Sequence, residues 1–182
     1  SMCDFYCENV GPNTVTLTVV DVNGNTSTCE AIVTIEDNLP PGELCQDATV
    51  YLDGSGLGSI TTGDVVDLNA DDYDVDNCGL DTYVLSNDNF DCSNVGQNTV
   101  VVTATDVNGN TSTCTSIVTV IDSIAPNAIC QNITAYLDST GFVQISAAMI
   151  NNGSNDNCAV DTIFHSMCDF YCENVGPNTV TL

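Results

Sequence analysis

The sequence predicts an all-β chain of tandem sandwich modules stacked end to end, and three observations carry that expectation. Apolar residues and threonines alternate with a period of two in 13–20 (NTVTLTVV), 98–105 (NTVVVTAT) and 116–121 (SIVTVI), the pattern of half-buried strands, and no convincing helical period accompanies them. An Asn108-Gly109 pair stands between two such runs, the strongest short-range hairpin signal. The chain also repeats itself: residues 1–17 recur letter for letter as 166–182, and DVNGNTSTC begins at Asp21 and again at Asp106. Asp76-Asn77-Cys78 returns as Asp156-Asn157-Cys158, so the 165-residue period divides into modules of 85 and 80 residues that differ by five residues in one loop. The chain is therefore expected to be a window on a longer tandem array.

In the complete middle module the first strand is expected at 45–52, a Gly-rich turn at 53–58 and a second strand near 59–66. A long polar loop leads to Cys78. A third strand follows at 80–86, then an irregular stretch through 89–96, and two strands at 98–105 and 111–121 joined at Asn108-Gly109. Few, short strands with one Greek-key-length excursion point to an immunoglobulin-like sandwich. Proline-containing segments at 36–41 (EDNLPP) and 122–126 (DSIAP) mark the boundaries. Residues 1–37 are read as the C-terminal part of one module, 38–122 as a complete module and 123–182 as the N-terminal part of the next. Linkers this short predict closely spaced, stiffly joined modules.

Composition narrows the function. There are 25 Asp and Glu and 0 Lys and Arg, a formal net charge of −25, so the chain cannot neutralise phosphates and nucleic acid is excluded as a partner. Attraction to an anionic membrane surface is excluded likewise, and no apolar stretch reaches spanning length, so no membrane insertion is expected. A hydrophobic content of 43%, distributed in strand-like runs, argues against disorder. Modules of this size bury a modest share of their surface and need a staple, and 11 cysteines at fixed places in each module supply one. That usage indicates disulfides and an extracellular compartment; zinc is the alternative, but Cys-x-x-Cys knuckles are lacking and His165 is the only histidine.

The order of Pro, Cys45-Gln46, Tyr51-Leu52-Asp53, Asp76-Asn77-Cys78, Asn94-Val95-Gly96 with Asn98-Thr99-Val100, and Asp106 to Cys114 resembles the hyalin repeat (HYR) family, in the tandem versions of giant secreted surface adhesins of gliding bacteria. The resemblance covers nearly the whole chain. It implies an immunoglobulin-like fold, an extracellular adhesive or scaffolding role and no catalysis.

In a sandwich of this topology the loop before the third strand and the last hairpin turn lie at the end where the preceding module joins. That joint gathers Glu36, Asp37 and Asn38, then Asp71, Asp72, Asp74 and Asp76, then Asp106 and Asn108. Calcium takes six to eight oxygen ligands of these kinds and is the cofactor expected there. The arrangement is similar in outline to cadherin-type junctions. The other reading is a plain hairpin turn beside solvated acidic loops, which leaves the absence of basic residues unexplained. The next joint is leaner, with Asp122, Asn151, Asn152, Asn155 and Asp156, and with Asp21 and Asn23 expected from the following copy of the array.

Four cysteines per module allow three connectivities. Position favours Cys45 with Cys114, Cys78 with Cys92, Cys158 with Cys172, and Cys130 with the next copy of Cys29. Cys168, repeated as Cys3, is the odd cysteine, expected as a lateral cross-link or an unpaired thiol. Short sequons such as Asn25-Thr26-Ser27 carry little weight. No enzymatic constellation stands out: His165 lies in a strand-like segment at 162–167, and acidic pairs are everywhere.

The expected function is a structural repeat segment of an extracellular adhesin stalk or surface filament, its partners being neighbouring modules and laterally associated copies. The alternative is a carbohydrate-binding accessory tandem of a secreted enzyme, which 0 Trp and 6% aromatics disfavour. A second architecture has separate subunits completing each other by strand donation, although a continuous array explains the 17-residue overlap more simply.

Overall fold

A computed structural model of the chain describes residues 4–42, 45–67 and 76–182. Cys3, Asp71, Asp72 and Asp74 lie outside the described residues. Those described are organised by β-strands: β1 (Gly11–Val20), β2 (Thr26–Ile35), β3 (Ala48–Tyr51), β4 (Leu57–Ser59), β5 (Leu80–Leu85), β6 (Asn89–Asp91), β7 (Gly96–Asp106), β8 (Thr111–Ile121), β9 (Phe142–Gln144) and β10 (Asp169–Tyr171). The fold is all-β. One four-stranded sheet has the order β3-β8-β7-β5, and β1-β2, β4-β6 and β9-β10 form two-stranded sheets.

β7 and β8 form because Val and Thr alternate along them, and the pleat sends Val100, Val102 and Ala104 from one strand and Ser116, Val118 and Val120 from the other to a buried face. β1 and β2 carry the same pattern and pair in antiparallel register from Gly11 opposite Ile35 to Val20 opposite Thr26. Their faces remain open, with Leu17 60% and Val19 57% exposed.

The second strand expected near 59–66 is replaced by β4 and a one-turn helix at Thr62–Val65. The reason is local: the Asp64 carboxylate accepts both the N–H and the hydroxyl of Thr61 at 2.7 Å, a capping arrangement that starts a helical turn. The stretch at 89–96 is not wholly irregular either. It holds β6 and a 3-10 turn at Cys92–Asn94, closed by Asn94 Oδ1 accepting the Asp91 N–H at 2.9 Å. The segment at 162–167 forms no strand; its pairing is reduced to Ser166, whose N–H donates to Thr181 O and whose Oγ accepts the Thr181 N–H, each at 3.0 Å.

The chain forms two compact units, each drawing on two successive sequence repeats. One comprises Ser1–Ala48, Ile60–Asp88 and Asn98–Val118; the other comprises Thr49–Ser59, Asn89–Gln97 and Thr119–Leu182. The first buries Ile60, Val65, Val66, Val100, Val102, Ala104 and Val118. In the second, Ile145, Ile150 and Phe170 make a small cluster against which Val143, Val180 and Leu182 pack.

Three disulfides are present among the described residues: Cys45–Cys114 as expected, and Cys7–Cys78 and Cys92–Cys158. The last two correct the expected pairings of Cys78 with Cys92 and of Cys158 with Cys172. Between Cys78 and Cys92 the chain runs through β5 and then β6, and Cys92 opens the 3-10 turn that follows β6. Each cysteine instead bonds a different repeat, with Cα separations of 5.2 and 5.3 Å. Gly56 makes room for one of them: at φ +74°, a Cβ there would lie 2.6 Å from Cys92 Sγ. Cys29, Cys130, Cys168 and Cys172 carry free thiols.

Replacing both Cys45 and Cys114 by Ser is expected to destabilise the chain by about 4 kcal/mol in denaturant unfolding, since the pair closes a 69-residue separation. Peptide mapping without reductant should recover Cys7 linked to Cys78 and Cys92 linked to Cys158, with no Cys78–Cys92 peptide.

Candidate metal centre

Asp37 follows β2, Asp76 precedes β5 and Asp106 ends β7, so three separate segments deliver one carboxylate each to a single point. Their nearest oxygens all lie within 4.8 Å of one another, with Asp76 and Asp106 buried and Asp37 half-buried. This cluster could hold a metal ion.

Each carboxylate is fixed before any ion is considered. Asp106 Oδ1 accepts the backbone N–H of Asn108 at 2.9 Å and of Asn110 at 2.7 Å, while its Oδ2 accepts Asn110 Nδ2 at 2.7 Å. Asp37 Oδ2 accepts Asn108 Nδ2 at 2.8 Å, and its backbone carbonyl accepts Asn110 Nδ2 at 3.0 Å. Asp76 Oδ1 accepts the N–H groups of Cys78 at 2.9 Å and Gly79 at 2.8 Å. Asp76 Oδ2 is different: it is buried and has no hydrogen-bond partner among the described residues.

A buried, unsatisfied carboxylate oxygen facing two more carboxylates is costly. At an effective dielectric of about 20, unit charges 4.8 Å apart repel by about 3 kcal/mol per pair, and the chain has 0 Lys and Arg to offset this. A hard divalent cation answers the charge, the orphaned oxygen and the all-oxygen donor set together.

The following repeat builds part of this arrangement, without a third carboxylate in the place of Asp106 among the described residues. Asp122 Oδ1 accepts Asn157 Nδ2 at 3.1 Å, and Asp156 Oδ2 accepts the N–H groups of Cys158 at 3.1 Å and Ala159 at 3.3 Å. Asp156 Oδ1 and Asn157 Oδ1 are then buried without partners. Asp122, Asp156 and Asn157 match Asp37, Asp76 and Asn77 residue for residue.

Of the other residues expected here, Glu36 and Asn38 are exposed beside Asp37 and belong to no cluster among the described residues. Asn108 serves Asp37 as a donor, and Asn155 and Asn152 are exposed. Asp21 and Asn23 form the exposed turn of the β1-β2 hairpin, where Asp21 Oδ1 accepts the Asn23 N–H at 2.8 Å. Asn110 and Asn77 were missed by sequence reasoning. The signal for Asn110 was the final residue of the repeated DVNGN, whose amide ties Asp106 to Asp37.

Protonation reports on these bonds. Burial acts to raise the pKa of Asp106, but the donors from Asn110, Asn108 and Gly109 outweigh it and hold the carboxyl below the ordinary 3.8. At Asp21 the Asn25 amide, then the backbone donors of Asn25, Asn23 and Gly24, lower it despite slight desolvation. Both groups are depressed in the folded state, so their stabilisation is present above pH 3.8 and is lost as pH falls through the folded values. Carboxyl NMR titration should give midpoints below 3.8 for both residues.

Asp76→Asn supplies a second check. The amide oxygen can keep the two N–H bonds while its NH2 donates towards Asp37 and Asp106, so in chelator the variant is expected to be about 1–3 kcal/mol more stable than the parent. Chemical denaturation with and without chelator measures it.

No family model and no curated protein matches the chain, which leaves the carboxylate cluster and the disulfide pairing as the features from which its function is read.

Proposed function

We propose that the chain is a structural repeat segment of an extracellular adhesin stalk or surface filament, built of tandem immunoglobulin-like modules of the hyalin-repeat type and stiffened by calcium where successive repeats meet. The observation that carries this reading is the buried cluster of Asp37, Asp76 and Asp106, each residue drawn from a different segment, in which Asp76 Oδ2 has no hydrogen-bond partner among the described residues. A calcium ion shared by the three would link the segment after β2 to two loops of the next repeat, replacing mutual repulsion by common coordination.

The disulfides support the same reading. Cys7–Cys78 and Cys92–Cys158 each join one repeat to the one after it, at the tripeptide that also carries the metal-facing aspartate. Disulfides of this kind belong to oxidising compartments, and no helix among the described residues is long and apolar enough to cross a membrane. Partners are the neighbouring modules of the array and laterally associated copies. Function on this reading is mechanical: stiff joints give reach, and repetition gives multivalent weak contact.

Calcium at a hundredfold excess over its dissociation constant stabilises by ~2.7 kcal/mol per site, which for a chain of this length raises the melting temperature by roughly 5–10 °C. The measurement is differential scanning calorimetry together with small-angle scattering, in calcium and in chelator. Melting should fall and the dimensions should become more variable in chelator, and Asp76→Asn should lose the calcium response at its site. Identical melting and scattering under both conditions would remove calcium from the proposal.

A further inference from the structure

We propose that the three disulfides make this chain a covalently redundant tether: no single cut of the backbone between Cys7 and Cys158 parts it, and unfolding cannot lengthen that span beyond the reach of the short segment from Cys78 to Cys92. The proposal goes beyond the adhesin reading. It rests on disulfide connectivity and does not depend on calcium.

The loops that the disulfides close overlap one another. Cys7–Cys78 spans the backbone from 7 to 78, Cys45–Cys114 from 45 to 114 and Cys92–Cys158 from 92 to 158. The first and the third leave only the stretch from 78 to 92 uncovered, and Cys45–Cys114 covers it. Wherever one peptide bond breaks between 7 and 158, a disulfide therefore still joins the two sides. The pairing that spacing suggests, Cys78 with Cys92 and Cys158 with Cys172, has no such property, because it leaves the backbone from 7 to 45 and from 114 to 158 outside every loop.

The same bonds shorten the path that tension follows. From Cys7 the force crosses to Cys78, runs through β5 and β6 to Cys92 and crosses to Cys158. Fully extended, the backbone from Cys78 to Cys92 reaches about 50 Å and the whole path with its two disulfides about 60 Å, whereas the backbone from 7 to 158 alone would reach roughly 530 Å. β7 and β8, which bury Val100, Val102, Val118 and Val120, lie off this path, so the strands that hold the core are not the ones that carry the load. β5 lies on it and is paired with β7 from Leu80 opposite Asp106 to Leu85 opposite Val102, so that ladder must slide before the path lengthens there.

Composition and exposure point to the same service. Proteases that cut after lysine or arginine hold the basic side chain in a carboxylate-bearing pocket, and a chain with 0 Lys and Arg offers them no site. Cuts by enzymes of other specificity fall on exposed turns. Asn23-Gly24, Asn87-Asp88 and Ser139-Thr140 are such places, and each lies inside one disulfide loop: Cys7–Cys78, Cys45–Cys114 and Cys92–Cys158 respectively.

The test is to insert one recognition sequence for a site-specific protease into the full 182-residue chain, in three separate variants, at Asn23-Gly24, after Asn87 and after Ser139. Each cleaved variant should keep the mass of its uncut chain plus one water in denaturant, and should separate into two fragments when reductant is added. With Cys45→Ser and Cys114→Ser together, the cut after Asn87 should part the chain without reductant while the other two cuts are still tolerated; should that double variant not fold, the three cuts in the parent decide. Held by its ends in optical tweezers, the parent should extend its 7–158 span to at most about 60 Å on unfolding and to roughly 530 Å in reductant, an about ninefold difference. Two fragments from any of the three cut variants without reductant, or a release of several hundred ångströms from the unreduced chain, would overturn the proposal. Melting in calcium and in chelator is read separately, so failure of the tether and failure of the metal reading are distinguishable.

Discussion

A chain with 25 carboxylates and no basic side chain cannot bury a negative charge against a lysine or arginine, so every carboxylate near the interior needs N–H donors or an ion. The dominant solution is the short aspartate side chain folding onto its own backbone. Asp21, Asp53, Asp106 and Asp138 each accept N–H groups from residues two and four positions ahead, fixing a turn and satisfying the charge at once. Asp76 and Asp156 use only half of that device. One oxygen takes two N–H groups and the other is buried with none, so the unmet demand is concentrated at the two places where successive repeats meet.

The strands were the most legible part of the sequence because their signal is local and periodic. The run at 111–121 and the third strand beginning at Leu80 match β8 and β5 closely, and the turn at Asn108-Gly109 stands where the pair placed it. The helical turn at Thr62–Val65 was also written locally, in Thr61 and Asp64 three residues apart, but valines at 65 and 66 outweighed it in a strand-minded reading. The carboxylate cluster of Asp37, Asp76 and Asp106 was legible as a convergence of acidic loops. The supporting amides of Asn77 and Asn110 were not, because an asparagine beside a turn looks the same whether it points to solvent or across a joint.

The disulfides illustrate a different limit. Cysteines 14 residues apart invite pairing, yet Cys78 precedes β5 and Cys92 follows β6, and each meets a cysteine of a different repeat, a long-range pairing that spacing along the chain does not encode. The fixed spacing has another origin. It covers β5 and β6, between a thiol that reaches back to the preceding repeat and a thiol that reaches forward to the next.

That arrangement couples the disulfide to the carboxylates. Asp76-Asn77-Cys78 places the orphaned oxygen, an amide donor to Asp37 and the thiol bonded to Cys7 on three consecutive residues, and Asp156-Asn157-Cys158 repeats the design against Asp122 and Cys92. A covalent anchor at Cys78 restricts Asp76 two residues before it, so an ion bound there would have less freedom to suppress. Linkage makes the effect reciprocal: an ion that holds Asp76 against Asp37 also holds Cys78 near Cys7 and makes their bond harder to reduce. On the proposed reading, a disulfide and an ion held by one tripeptide would reinforce each other where successive repeats meet.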